Sequence, residues 1–315
     1  MEGAGPTGIA GVLARHTSPD WHWRGMHPFH EQHGADAVAR AFWHPYLTAF
    51  TAPQRREDVF FAGRNEIDGF RSVWVVSMGH IVGLFDRPWL GIRPTRMMTY
   101  LRYAEFHKVE RGKITETAFF FDIPHVMAQA GQNPLPPQTA AHIMTPGPRT
   151  HDGLLHAPQD PAESAATLAL INRMINDINA AGRLPPEQEL ARCWHDDMAW
   201  YGPTGIGATY TIGRYIEQHQ RPFRTHLTDR VFNGHKCRLA EGRYGGFFGW
   251  ANLTLRNTGG FMGMTGSERP ADMRVVDIYR RDGDKLAENW VFIDLLHFLN
   301  QQGLDLLERA ASLNP

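Results

Sequence analysis

The alternation of apolar and polar residues is clearest near the C-terminus. Residues 273–279 and 286–293 form two apolar, β-branched runs, separated by the segment RDGD at residues 281–284. An Asp-Gly pair between two such runs is typical of a β-hairpin. Apolar residues then recur at helical spacing after Asp294, and Gly303 stands where that helix would end. The pattern predicts a unit of strand, turn, strand and helix.

The same unit is predicted for residues 100–131. Without any gap, eight of its residues are identical or chemically similar to the residues found 172 positions later. The pairs are Arg102 and Arg274, Glu105 and Asp277, Lys113 and Lys285, Glu116 and Glu288, Asp122 and Asp294, His125 and His297, Gln129 and Gln301, and Gly131 and Gly303. Agreement at so many positions predicts a tandem repeat of one domain.

A change in composition sets the predicted domain boundaries. Residues 133–162 are rich in proline and show no apolar period, which is typical of an extended linker. We therefore predict an N-terminal arm at residues 1–19, a first domain at 20–132 and a second domain at 163–308.

The charge and cysteine content narrow the possible partners. The 32 basic and 33 acidic residues give a formal charge of −1, so the chain creates no field that would attract nucleic acid or an anionic membrane. Cys193 and Cys237 are the only cysteines, too few for a disulfide framework. No signal-peptide pattern occurs near residue 1, and no apolar run reaches the roughly 18 residues of a membrane span. We expect a cytoplasmic protein without nucleic-acid or membrane partners.

Both repeats share a Trp-x-Gly strand followed by a helix, several strands and the terminal hairpin. The motifs are residues 23–25 and 200–202 for the Trp-x-Gly strand, and residues 113–131 and 285–303 for the hairpin and its helix. This arrangement resembles the SnoaL-like polyketide cyclases of the NTF2-like superfamily, over residues 20–131 and 165–305. The resemblance implies an α+β fold with two cone-shaped domains, each a curved antiparallel sheet wrapped by helices around an apolar pocket.

The resemblance also implies acid/base chemistry without a cofactor. In that family an Asp on the last strand acts beside a His on the preceding strand and an Asn near the helix-to-sheet junction. Here the Asp position falls on Val291 and Phe119, the His position on Asp277 and Glu105, and the Asn position on Trp200 and Trp23. Neither repeat therefore carries the family's catalytic set.

Asp277 is the main catalytic candidate. Alternation along the strands places it on one face with Val275 and Tyr279, and with Asn289 on the neighbouring strand. A carboxylate among apolar side chains has a raised pKa, which suits a general base that works near neutrality. The alternative is an ordinary ion pair between Asp277 and an arginine next to it in sequence, Arg274 or Arg280.

The first repeat offers two further candidates. Glu105 corresponds to Asp277, and an ion pair with Arg102 is the alternative to a catalytic role. His80 lies in the apolar strand segment VSMGHIVG and would carry protons if that strand lines the cavity. The alternative is a buried histidine whose role is structural.

Several side chains are predicted to hold a planar, partly polar ligand. These are Trp200, Tyr201, Asn289, Val291, Trp250 and Asn252 in the second repeat, and Trp23, Tyr103 and Phe119 in the first. The alternative is that the aromatic residues only fill the cone.

Two further motifs are interpreted as structural. Asp122 and Asp294 each precede a predicted helix, where an N-cap contributes roughly 1 kcal/mol. His27, His30 and His33 lie in a segment that contains Pro28, and their spacing does not suit convergent ligands. We therefore predict neither a metal nor a cofactor.

The sequence predicts a cyclase-type protein that acts on a small apolar or aromatic carbonyl compound. A small-molecule binder that has lost its catalytic residues is the alternative, and so is a hydrolase or dehydratase on the same fold. The two sheets are expected to pack together as a pseudo-dimer within the chain, and a homo-oligomer is also possible.

Overall fold

The computed structural model of the chain describes residues 3–180 and 184–313. These residues form two six-stranded sheets and one three-stranded sheet, with helices packed against them. The predicted α+β class, with two curved and mostly antiparallel sheets, is confirmed. Within the described ranges, no helix has the length and apolar character needed to cross a membrane.

The first domain contains one continuous sheet. Its elements are α1 (Ile9–His16), β1 (Thr17–Gly25), β2 (Glu31–His33), α2 (Ala35–Val38), a π-helical turn (Ala39–Trp43), α3 (His44–Ala49), β3 (Phe50–Arg64), a 3₁₀ turn (Glu66–Asp68), β4 (Val73–Phe85), β5 (Met98–Glu110), β6 (Lys113–Phe121) and α4 (Ile123–Gln129). The strand order is β2-β1-β6-β5-β4-β3, and only β1 and β6 run parallel.

The second domain repeats this order, with a short helix before its first strand, as α1 is in the first domain, and with one added helix at its start. Its elements are α5 (Pro161–Asn179), α6 (Pro186–Ala191), β7 (Trp194–Tyr201), β8 (Ala208–Tyr210), α7 (Ile212–Tyr215), a π-helical turn (Ile216–Gln220), α8 (Arg221–His226), β9 (Leu227–Phe232), β10 (Cys237–Glu241), β11 (Tyr244–Phe248), β12 (Leu253–Asn257), a 3₁₀ turn (Phe261–Gly263), β13 (Ala271–Met273), β14 (Val275–Asp282), β15 (Lys285–Ile293), α9 (Leu295–Asn300) and α10 (Leu306–Ser312).

The long strands of the first sheet are divided in the second domain. β3, β4 and β5 contain 15, 13 and 13 residues. Their counterparts are the pairs β9 and β10, β11 and β12, and β13 and β14, of which β9, β12 and β13 form the separate three-stranded sheet. At this division the Asn252 side-chain oxygen accepts the Val275 N–H at 2.7 Å. The division lets the second domain turn its strands around a cavity.

The repeated Trp-x-Gly motif has a steric cause. Side chains two residues apart on a strand share a face, and each tryptophan ring lies over the glycine that follows it. A Cβ atom at Gly25 would lie 2.1 Å from Cη2 of Trp23, and one at Gly202 would lie 2.2 Å from Cζ3 of Trp200. Glycine is therefore required at both positions.

The two sheets contact each other through their outer faces. The Phe248 ring packs against Trp74 and Phe106 at centroid distances of 5.6 and 5.2 Å. Arg102 is buried and donates to the carbonyl oxygens of Tyr201 and Val291 in the second domain, at 2.9 and 3.1 Å. This contact leaves the opposite, concave face of each sheet to its own domain.

Asp122 and Asp294 are N-caps, as predicted, and each also binds the other domain. Asp122 accepts the His125 N–H at 3.1 Å and the Thr204 N–H at 2.8 Å. Asp294 accepts the N–H groups of His297 at 3.2 Å and His27 at 3.1 Å. The repeat therefore preserves a reciprocal pair of contacts between the domains, which sequence analysis did not foresee.

The segments outside the two sheets are more ordered than predicted. The expected arm contains α1, whose Ile9 and Leu13 are buried against the first domain. The predicted linker pairs with the backbone of Phe60. The Phe60 N–H donates to the Gly153 carbonyl oxygen and the Leu155 N–H donates to the Phe60 carbonyl oxygen, both at 2.8 Å. Asp160 caps α5, which begins at Pro161, and α10 extends from Leu306 to Ser312.

Candidate functional site

The second domain contains a cavity of about 200 Å³ that is open to solvent. The concave faces of β14 and β15 form its base, and α5 and the helical segment from α7 to α8 form its walls. Most of the lining side chains are apolar: Met174, Ile175, Ile178, Trp194, Trp200, Phe223, Phe232, Phe247, Leu253, Met273, Val275, Val291 and Ile293. A cavity with such walls would bury a small apolar or aromatic molecule.

Asp277 lies on the base of this cavity. It pairs with Val291 on β15 and with Phe247 on β11, so that its carboxylate stands between apolar neighbours. Asn289 donates from Nδ2 to Oδ1 of Asp277 at 3.2 Å. Within the described chain, no lysine, arginine or histidine forms an ion pair with Asp277. The two arginines close to it in sequence have other partners: Arg274 pairs with Asp294 at 3.4 Å, and Arg280 pairs with Glu288. The predicted alternative of an ion pair to Arg274 or Arg280 is therefore wrong.

The surroundings of Asp277 favour its protonated form. Burial raises the pKa of Asp277 to about 6, although the hydrogen bonds from Asn289 and Tyr279 lower it. A carboxylic acid with this pKa releases and accepts protons near neutrality, which is the property that a general base requires.

His219 is a second titratable group in the cavity, and sequence analysis missed it. Its ring stacks on Trp200 at a centroid distance of 4.0 Å and an interplanar angle of 20°. Burial lowers the pKa of His219 to about 3, so the ring is neutral at neutral pH. The spacing of Tyr215, His219 and Phe223 at intervals of four residues, typical of one helix face, is the signal that could have identified it.

Five of the predicted second-domain residues do line this cavity: Asp277, Asn289, Val291, Trp200 and Asn252. The other two do not. Tyr201 points to the opposite face of its strand, where it stacks on Trp290 at 5.7 Å. Trp250 lies at the domain contact, with the Arg274 guanidinium 3.9 Å from its ring and its Nε1 donating to Glu31 at 3.0 Å. Their assignment as residues of the ligand pocket is wrong, since both contact protein groups outside it.

In the first domain, the carboxylate that corresponds to Asp277 is Glu105, and it lies in an ion pair. Glu105 accepts from Nη1 of Arg55 at 2.6 Å and lies 3.5 Å from Nε2 of His107. Burial alone would raise the pKa of Glu105, but Arg55 and His107 lower it to about 2. The ion-pair partner of Glu105 is thus Arg55. The predicted alternative, an ion pair with Arg102, is wrong. A group held in its charged form in this way is a poor proton carrier.

The remaining first-domain candidates belong to the packed interior. Trp23 and Phe119 are buried and in ring contact at 6.3 Å, and Tyr103 is buried beneath the Arg55 guanidinium, 4.7 Å from its ring. A groove of about 310 Å³ lies between α1 and the sheet, and Trp23 and Glu105 both line it.

His80 lies on the outer face of the first sheet. It is directly opposite Arg102 on β5, so the two side chains share the face that meets the second domain. Its Nδ1 is 3.5 Å from the Asp58 carboxylate. The expectation that His80 lines the cavity is wrong, because the alternation along β4 turns it away from Glu105.

The histidine-rich segment takes part in the domain contact. The backbone N–H of His27 binds Asp294, and its ring lies 5.2 Å from that of His30. Among the residues that the structure describes, no group of three or more His, Cys, Asp or Glu side chains could hold a metal ion.

Comparison with known proteins gave matches only to solved structures. The chain resembles NTF2-like and SnoaL-like proteins of known structure. An NTF2-like protein from Burkholderia xenovorans LB400 is 12% identical, with a TM-score of 0.36, over 44% of this chain and 97% of that one. A protein assigned as a SnoaL-like polyketide cyclase from Jannaschia sp. CCS1 is 18% identical, with a TM-score of 0.31, over 38% of this chain and 76% of that one.

A third structure is IdmH from Streptomyces antibioticus, which is assigned as a polyketide cyclase. It is 16% identical, with a TM-score of 0.36, over 44% of this chain and 99% of that one. No family model matches the chain, and no curated protein does.

Proposed function

We propose that the second domain is a cofactor-free acid/base enzyme of the polyketide-cyclase type, acting on a small apolar or aromatic carbonyl compound. The observation that carries this proposal is the Asp277 carboxylate, which stands without an ion-pair partner among the described residues at the base of an apolar cavity. An enzyme that removes a proton from carbon needs a base of this kind.

The proposed reaction is an intramolecular aldol closure. Asp277 takes the proton from the carbon next to a carbonyl, and the resulting carbanion forms a C–C bond with a second carbonyl of the same molecule. The alkoxide formed there takes the proton back from Asp277, so the reaction consumes no other reagent. Asn289 holds the carboxylate in place, and the neutral His219 ring can donate to an oxygen that becomes negative.

Replacement of Asp277 by asparagine tests this proposal. A ligand screen by thermal shift identifies a substrate first. We expect Asp277→Asn to lower its turnover by about 10²–10⁴-fold, because proton transfer by a positioned base contributes about that much. The matched variant Glu105→Gln in the first domain should leave turnover unchanged. Full turnover by Asp277→Asn would refute the proposal.

One observation favours a different function. Val291 and Phe119 occupy the positions at which the resembling family has its catalytic Asp, which favours a binding protein without catalysis. In that case the wild-type protein would bind a ligand and never convert it. A hydrolase or dehydratase would use the His219 ring with Asp277, but no hydrogen bond joins these two side chains in the described structure, and we therefore favour the cyclase-type reaction.

A further inference from the structure

The same cavity carries two guanidinium groups, from Arg224 on α8 and Arg230 on β9. Arg224 is paired, because its Nη2 lies 2.8 Å from Oε1 of Glu189. Arg230 forms neither a hydrogen bond nor an ion pair through its side chain with any residue described. One of the two cations at this cavity is therefore available to a ligand.

A β-bulge accounts for the position of Arg230. The register between β9 and β12 shifts at this point. Val231 pairs with Thr254, and the next pair is Thr228 with Arg256. Asp229 and Arg230 together stand opposite the single residue Leu255, and Asp229 has a left-handed φ of 51°. Arg256 holds the bulge through its Nη2, 2.6 Å from Oδ2 of Asp229. Bulges commonly redirect a side chain next to an active site, and here Arg230 lines the cavity.

Among the described residues, no carboxylate forms an ion pair with Arg230. Burial and the nearby charge of Arg224 both lower the pKa of Arg230. The adjacent cavity wall includes Phe232 and His235, and burial lowers the pKa of His235 to about 3, so that its ring is neutral at neutral pH. Arg230 is an exposed residue that lines the cavity, so a ligand carboxylate that enters from solvent can reach its guanidinium.

We infer that the ligand of this cavity is an aromatic or apolar molecule that carries a carboxylate, and that Arg230 binds this carboxylate. The planar guanidinium fork matches a carboxylate with two parallel hydrogen bonds. The remaining walls take the apolar body, and the reacting carbonyl is placed near Asp277. This inference rests on the proposed function in one respect: both place the ligand in the same cavity.

A pair of probes with the same shape and different charge tests the inference. 2-Naphthoate and 2-naphthamide are titrated into the full-length protein at pH 7.5, with quenching of tryptophan fluorescence as the readout. We expect the wild-type protein to bind the naphthoate about tenfold or more tightly than the naphthamide, since a hydrogen bond to a charged group is worth roughly that factor.

Substitutions then assign the preference to one residue. Arg230→Gln should bring the two affinities within about twofold, and Arg230→Lys should keep part of the difference, because the charge remains while the fork is lost. The control Arg269→Gln removes an exposed arginine that does not line the cavity and should behave as wild type. Equal affinities in the wild-type protein, undetectable binding of both probes, or a preference that survives Arg230→Gln would each overturn the inference.

A further variant separates this inference from the proposed function. Asp277→Asn should retain the preference for naphthoate, whatever its effect on turnover. A retained preference with full turnover would refute the catalytic role of Asp277 and support the role of Arg230. A lost preference in Arg230→Gln together with loss of turnover in Asp277→Asn would support both.

Discussion

Glu105 and Asp277 occupy the same position in the two repeats, and their surroundings give them opposite properties. The Arg55 guanidinium and His107 hold Glu105 in its charged form, with a pKa of about 2. Asp277 has only hydrogen bonds and apolar neighbours, and burial raises its pKa to about 6. The comparison shows that the role of a carboxylate on this strand depends on which cations distant strands bring to it more than on its own segment.

The difference has a visible cause in β3 and in its counterpart in the second domain. β3 runs unbroken for 15 residues and carries Arg55 to Glu105. In the second domain the corresponding chain is divided between β9 and β10, and Arg230, on the bulge of β9, lines the cavity without an ion pair to Asp277. The division of the strand is thus accompanied by the loss of the ion pair to the carboxylate.

The volumes of the side chains on the two concave faces also differ. At an offset of 172 residues, the aromatic residues of the first sheet correspond to aliphatic ones in the second: Tyr103 to Val275, Phe119 to Val291, and Phe121 to Ile293. The first set is fully buried in contact with other rings. The second set lines the 200 Å³ cavity. Smaller side chains at three matched positions therefore leave room for a ligand.

Loss of Arg55 should have the largest effect. Arg55→Met leaves the buried Glu105 carboxylate without its main partner, which costs about 3–5 kcal/mol in the free energy of unfolding. Urea denaturation at pH 7 measures it. The double variant Arg55→Met/Glu105→Gln should recover most of the loss, because no uncompensated charge remains. A loss below about 1 kcal/mol in the single variant would show that the pair does not stabilise the first domain.

Filling the second cavity should remove its ligand binding. Val291→Phe introduces the ring that Phe119 supplies in the first domain, and we expect the affinity for 2-naphthoate to fall by about hundredfold, since overpacking costs about 1–3 kcal/mol. Val231→Phe, at an exposed position of β9, is the matched control and should bind as wild type. Unchanged binding by Val291→Phe would place the ligand elsewhere.

The two carboxylates should also affect stability with opposite sign. Asp277 has a raised pKa in the folded protein, so it destabilises the fold above about pH 6 and ceases to do so once it is protonated in both states, below about pH 4. Asp277→Asn should therefore raise the free energy of unfolding by about 1–2 kcal/mol at pH 8 and have little effect at pH 4.

The first domain provides the control for that measurement. Glu105 has a lowered pKa, so its contribution is present above about pH 4.5 and is lost as the pH falls toward 2. Glu105→Gln should therefore destabilise the protein at pH 8. If both variants changed the free energy of unfolding in the same direction at pH 8, the contrast between the two domains would be contradicted.

The repeat made much of the fold predictable from the sequence. The hairpins and caps follow from local patterns, and β6 and β15 begin at Lys113 and Lys285, 172 residues apart as predicted. Alternation within the terminal hairpin also placed Asp277 beside Asn289. These features depend on residues close together in the chain or directly opposite on paired strands.

Other parts of the site depend on contacts between distant elements. The pairing of Arg55 with Glu105 joins strands that are not neighbours in the sheet, and local sequence favoured Arg102 instead. Tyr201 is adjacent to Trp200 on β7, so the two side chains cannot share a face, and the sequence alone did not show which face of β4 is concave at His80. The bulge that positions Arg230 leaves no sequence pattern that we could have identified.

The contrast between Asp277 and Glu105 is tested most directly by measuring the pKa of both carboxyl groups in the same protein. Carboxyl carbons labelled with ¹³C and followed by NMR between pH 2 and 8, with Asp277→Asn and Glu105→Gln used for assignment, report both groups. The account predicts a pKa of about 6 for Asp277 and about 2 for Glu105. A pKa of Asp277 below about 4, the ordinary value of an aspartate, would contradict it.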